Sequence, residues 1–212
     1  MTRTTSLTSI ITGDLIGSRT TTSSKWLSPL KKTLSFHGNS PYAWDIFRGD
    51  SFQVEIKHPT DALFAALHIK ATLKTIKAVD VRMAIGIGSI ISRARKITES
   101  EGEAFLFSGE KYETLKKDKV TLAIRTPWPT FDHEMNICLR LVALLVDGWS
   151  PGSAELFKLL LEEPTLNQEK IARKLNVTQP SVSERHQRAH YDEIMAFEAL
   201  FREKVQQYIA NA

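Results

Sequence analysis

"IFRGDSFQVEI", Ile46 to Ile56, is the stretch from which the front half of the chain can be read. Phe52, Val54 and Ile56 alternate with Gln53 and Glu55, the period-two pattern of a strand with one buried face. Gly49-Asp50 just before it is turn chemistry, so Tyr42 to Phe47 and Phe52 to Lys57 are expected as the arms of a hairpin. Thirty-odd residues earlier "IITGDLIGSR", Ile10 to Arg19, runs another apolar stretch, Leu7 to Thr12, into a second pair, Gly13-Asp14. Each Gly-Asp pair is expected at the end of a strand.

Outward from the hairpin, the pattern alternates between strand and helix. Trp26, Leu27, Leu30 and Leu34 have helical spacing around Pro29. Thr60 to Lys77 reads as a helix with Leu63, Phe64, Leu67, Ala71 and Leu73 inward, and Asp61 in its first turn suits the helix dipole. "VRMAIGIG", Val81 to Gly88, reads as a strand whose glycines permit close backbone approach. A helix over Ser108 to Lys117 and a strand over Val120 to Ile124 complete the set. Strand, helix, hairpin, helix, strand, helix, strand is a ferredoxin-like order with an antiparallel sheet, and it sets the end of the first strand beside the hairpin tip. Asp14 and Asp50 then become neighbours. Two close carboxylates call for a cation, and Mg²⁺ combines one or two carboxylates with substrate phosphates. In this reading Asp14 and Asp50 hold Mg²⁺ with a nucleotide, while Gly13, Gly49, Arg48 and Arg19 form the phosphate site. The plainer alternative is that both pairs are only turns or caps. Glu99, Glu101 and Glu103 read as a solvated charge run.

Composition narrows the class. Of 212 residues 42% are apolar and 25% charged, which excludes disordered and fibrous chains. One cysteine, Cys138, excludes a disulfide framework and suits a reducing compartment. The N-terminal apolar run is too short for a signal peptide, and no stretch is long enough to span a membrane. A cytoplasmic location is the expectation. The net charge of +4 permits nucleic-acid binding without arguing for it.

After "RTPWPTFDHE", Arg125 to Glu134, everything reads helical, so an α/β unit over 1–126 and an all-α unit over 127–212 are expected. In the second unit "LNQEKIARKLNVTQPSVSERHQRA", Leu166 to Ala189, has the marks of a helix-turn-helix at 166–190. Ala172 is small where two helices cross, and Asn176 tolerates the left-handed turn. Thr178 suits an N-cap, with Pro180 in the first turn. Ile171, Leu175, Val177 and Val182 fill a small core, and Arg185 stands where an apolar residue is usual. Five positive and two negative side chains from Pro164 to Ala189 give this stretch +3 of the chain's +4, the charge density that phosphate contacts need. Thr178, Gln179, Ser181, Glu184, Gln187 and Arg188 are the candidates for contacting double-stranded DNA. His186 and His190, four apart, read as surface histidines rather than metal ligands. Ile137, Leu141, Leu144 and Leu145 are expected on the buried face of one flanking helix, with Cys138 as a small core residue. Ile194, Phe197, Phe201, Val205 and Tyr208 form a stripe on the last helix that packs on its own chain or on a second copy. Regulators of this build commonly pair on two half-sites, which makes a homodimer the expected state.

The front half resembles the palm-type domain of class III nucleotide cyclases and GGDEF-type diguanylate cyclases, in which acidic residues after the first strand and at the hairpin tip bind metal ions. Asp14 and Asp50 stand in those places. The GGDEF string is absent, as is the Asn and Arg pattern with which the cyclases continue after the strand that "MAIGIG" matches. Taken whole, "ITGDLIGSR", "IFRGDSFQVEI", "RMAIGIG", "ESEGEAFLFSG", "VDGWS" and "LNQEKIARKLNVTQPSVS", in that order, resemble the SatD family. That resemblance implies a bacterial cytoplasmic protein with a palm-like front half and a DNA-binding-like rear half. The segment between Arg19 and Trp44 is short against the family pattern. The expected function is a DNA-binding regulator that senses a nucleotide or other phosphorylated ligand. A metal-dependent cyclase or nucleotidyltransferase is the alternative.

Overall fold

Alternate residues of the first strand face two different layers, and this alternation organises the molecule. The computed structural model describes residues 7–211. The reading of the extreme N-terminus as no signal peptide falls partly on residues 1–6, outside that range. The order is β1 (Leu7–Ile16), α1 (Ser23–His37), β2 (Trp44–Phe47), β3 (Ser51–Ile56), α2 (Ala62–Lys74), β4 (Asp80–Ser89), α3 (Glu103–Asp118) and β5 (Leu122–Arg125). Five helices follow: α4 (Pro129–Asp147), α5 (Pro151–Glu162), α6 (Gln168–Leu175), α7 (Gln179–Ala189) and α8 (Tyr191–Ala210). The class is α+β.

The five strands form one sheet in the order β2-β3-β1-β4-β5. All pairs are antiparallel except β4 with β5, which is parallel, so the sheet is mixed rather than antiparallel as expected. The reason is the crossover: α3 carries the chain from the end of β4 back to its start, so β5 must run the same way. β5 is an edge strand, and Asn136 from α4 blunts it. Its side chain accepts from the amide of Ile124 and donates to the carbonyl of Ile124, both at 2.9 Å.

On one face Ile11, Leu15, Phe52, Val54, Val81, Met83, Ile85 and Ile87 pack with α1 and α2. α2 is buried at 11 of its 13 residues, because the sheet lies on one side and α5 and α8 on the other. The same apolar cluster continues into the helical half through Phe131, Met135, Leu139, Phe157, Ile194 and Phe201. The division expected at 126/127 therefore runs through a shared core. On the opposite face α3 lies almost on the backbone of β4: a Cβ at Gly86 would stand 2.3 Å from the carbonyl oxygen of Ala104. On the same face Thr12 of β1 and Ser108 of α3 hydrogen bond at 3.0 Å.

Several expectations are corrected. β1 extends to Ile16, so Gly13 and Asp14 lie inside the strand, between Phe52 and Ser51 of β3 and Met83 and Arg82 of β4. Asp61 stands at the N-cap of α2 rather than inside its first turn, and it pairs with Arg202 of α8. Pro129 opens α4 at its first turn, where a missing amide costs nothing. The buried face of α4 is Phe131, Met135, Leu139, Val142 and Val146; Ile137, Leu141 and Leu144 are 51%, 61% and 75% exposed. α4 is apolar on more than one side, and its longer stripe won the core. The stripe of α8 packs on its own chain, with Ile194, Phe201 and Val205 buried. His190 adopts the left-handed conformation between α7 and α8, which takes it off the helix it was expected to share with His186.

Candidate functional site

The end of β1, the hairpin tip, the loop after Ile16 and the last turns of α3 enclose a cleft of about 560 Å³. Its lining includes Asp14, Asp50, Ser18, Arg19, Arg82 and Lys116. The two aspartates are thus brought to one cavity. β1 reaches the tip through a hydrogen bond from the amide of Leu15 to the carbonyl of Asp50 at 3.2 Å. Odd–even alternation along β1 turns Asp14 towards α3, on the side opposite Leu15.

The cation beside Asp14 is part of the chain. Arg82, its register partner on β4, donates from Nε to Oδ1 at 3.0 Å and from Nη2 to Oδ2 at 2.5 Å. This two-pronged bond raises the guanidinium pKa above its already high value, and Asp50 adds in the same direction. Tyr112 on α3 stands against the pair; burial, then the charge of Asp14, pushes its hydroxyl pKa up. Asp50 accepts from the hydroxyl of Ser18 at 2.5 Å. Lys116 and Arg19 line the cleft without a carboxylate within salt-bridge distance among the described residues. As arranged, both oxygens of Asp14 are committed to Arg82. A Mg²⁺ shared by Asp14 and Asp50 would have to share the Asp14 carboxylate with Arg82. No group of three or more His, Cys, Asp or Glu side chains that could hold a metal occurs among the described residues.

Of the residues expected to cradle a phosphate, Arg19 alone lines the cleft. Gly13 is buried inside β1, where a Cβ would meet Phe52 at 2.7 Å and the carbonyl of Arg82 at 2.8 Å. It is a packing glycine. Arg48 and Gly49 form the exposed turn, both at positive φ, outside the lining. Ser18, Arg82 and Lys116 line the cleft where these were expected. Only the register of β1 on β4 brings Arg82 to Asp14, and sequence spacing carries no sign of it.

A second candidate surface lies on α7. α6 ends in Asn176 at φ 51°, and the side chain of Thr178 accepts from the amide of Ser181. Leu156, Leu160, Ile171, Ala172 and Val182 form the small core beneath. Arg185 occupies its unusual place because α5 receives it: it pairs with Glu155 at 3.0 Å and packs on Gly152. Gln179, Glu184, Gln187 and Arg188 are exposed, Thr178 is exposed but committed as the cap, and Ser181 is half-buried. Arg188 is paired with Glu184 at 3.2 Å, Arg173 with Glu169 at 3.3 Å and Lys174 with Glu163 at 2.6 Å. Much of the local charge is therefore internally partnered, and Lys170 has no such partner among the described residues. Trp149, from the "VDGWS" stretch, fastens the unit to the core. Its indole donates to the carbonyl of Ala189 at 2.9 Å, and its ring lies 4.5 Å from that of Phe157.

Comparison of the chain with protein-family models, with curated proteins and with solved structures finds no match in any of the three.

Proposed function

We propose that the chain is a SatD-like, DNA-binding transcriptional regulator whose front half, a palm-like variant, senses a nucleotide or other phosphorylated ligand. The observation that carries this reading is the α6–α7 pair: a left-handed turn at Asn176, a capped start at Thr178 and a solvent-facing second helix. These features support reading the pair as a helix-turn-helix, in which α7 would enter the major groove with Gln179, Ser181, Gln187 and Arg188. Ligand phosphates would meet Lys116, Arg19, Ser18 and Arg82 in the front cleft, with Asp14 and Asp50 the residues that would hold Mg²⁺. Two half-sites would be read by a homodimer.

Fluorescence anisotropy on fragments of the protein's own upstream region, at rising salt, tests the DNA half. Specific binding that weakens steeply with salt and drops in Arg188→Ala supports it. Uniform, sequence-blind binding or none sinks it. Thermal unfolding against a nucleotide panel, with and without Mg²⁺, tests the front half, since a ligand at a hundred times its Kd adds about 2.7 kcal/mol.

The meeting of Asp14 and Asp50 in one cleft favours a second reading, a metal-dependent cyclase or nucleotidyltransferase. Product formed from a nucleoside triphosphate with Mn²⁺, and lost in Asp50→Ala, would favour it over the regulator.

A further inference from the structure

A second cleft, of about 520 Å³, lies where α3 and α4 flank the outer edge of β5, in the size range of small-molecule sites. Most of its polar lining is already satisfied. Asn136 is spent on the backbone of Ile124, and Asp132 accepts from the amide and hydroxyl of Thr126 at 3.0 and 2.7 Å. Arg125 is paired with Glu110 and lies over the Phe107 ring, 5.5 Å from its centre.

Two cations in the lining are not so placed. Lys111 from α3 and Arg140 from α4 have no carboxylate within 4 Å among the described residues. The same wall carries Ile137, half-exposed on α4 although the helix has a separate buried stripe. The side chains of the cleft without a hydrogen-bond or ion-pair partner among the described residues are thus two cations from different helices, the exposed His133 and one uncovered aliphatic side chain, with Asp132 feeling the charge of Lys111. A cleft of this kind attracts an anion, and it repays an apolar body that takes Ile137 out of water.

We propose that this cleft binds a small amphiphilic anion, one phosphate or carboxylate group on an apolar body. Lys111 and Arg140 hold the anionic group, and Ile137 covers the body. The site is separate from the Asp14–Asp50 cleft and stands or falls independently of the function proposed above.

Calorimetric titration of the full chain with phenyl phosphate, phenylacetate and inorganic phosphate tests it, in wild type, Lys111→Gln, Arg140→Gln, Ile137→Ser and Lys116→Gln. The expected result is saturable binding of at least one aromatic anion, weakened about ten-fold in each of Lys111→Gln and Arg140→Gln. Lys116→Gln, which removes a cation from the other cleft, leaves in place the component of binding that Lys111→Gln and Arg140→Gln weaken, and Ile137→Ser brings the aromatic anion down towards inorganic phosphate. Whichever aromatic anion binds tells phosphate from carboxylate. The proposal is overturned if neither aromatic anion binds at millimolar concentration, if Lys111→Gln and Arg140→Gln bind as wild type does, or if Lys116→Gln is the variant that loses binding.

Discussion

Arg82 grips Asp14 through both of its carboxylate oxygens, at 3.0 and 2.5 Å, across the ladder between β1 and β4. The partly buried carboxylate at the cleft is therefore neutralised from within the chain, before any ligand arrives.

That pairing predicts strong coupling. Asp14→Ala or Arg82→Ala alone leaves a partly buried charge without its partner and should cost about 1–3 kcal/mol. The double variant should cost clearly less than the sum of the two. Urea unfolding of all four proteins gives the coupling energy, and strict additivity would mean the contact contributes nothing.

The closeness of α3 to β4 predicts opposite outcomes for two glycines. Gly86→Ala drives a Cβ to within 2.4 Å of the backbone of Ala104 and Ser108, which has no side chain to swing aside. A loss of roughly 2–4 kcal/mol is expected. Gly109→Ala, inside α3 with nothing within 4 Å of the new methyl, should gain about 0.5–1 kcal/mol. Equal melting temperatures for the two variants would contradict this packing.

Acid should weaken the protein well before its carboxylates are protonated. Burial, then the neighbouring His68, lowers the pKa of His37 to about 4, against a smaller opposing effect of Asp61. Burial lowers the pKa of His68 as well, partly offset by its bond to Glu162. Between the ordinary histidine value and about 4 the unfolded chain binds more protons than the folded one, so stability falls as pH falls. The loss from pH 7 to pH 5 should be on the order of 1–2 kcal/mol. His37→Phe, set among Phe36 and Phe64, should flatten the profile. Identical pH slopes in wild type and variant would remove His37 as the cause.

At the turn between α6 and α7, Asn176→Gly should be neutral or slightly stabilising, because φ 51° costs glycine nothing. Asn176→Val should lose about 1–2 kcal/mol. If DNA binding depends on this turn, anisotropy should follow the same order.

Local features were legible in the residues. The hairpin came from alternation between Phe52 and Ile56, and the left-handed turn from the one asparagine placed to make it. The cap came from Thr178. What escaped were features set by tertiary pairing. Arg82 meets Asp14 only through strand register, and four residues of β5 carry no sign of their direction. On α4 the pattern Ile137, Leu141, Leu144 was as good a core stripe as the one actually buried. Lys70, 3% exposed, lay hidden in an apolar helix, because its partners Asp80 and Asp147, at 2.6 and 2.5 Å, come from β4 and α4.

The enclosure of α2 bears on how such a protein can evolve. Its His68 is tied to Glu162, and Lys70 and Lys74 to Asp147, all three contacts crossing from the front half to the rear. A gene fragment encoding only the first 126 residues would translate into a sheet with its central helix stripped on one side, a sticky product that chaperones and proteases would meet first. Exchanging one half for another would have to rebuild these contacts and the shared apolar cluster. Any change in the residues that α2 presents to this seam must be accommodated, substitution by substitution, by the helices that sit behind it.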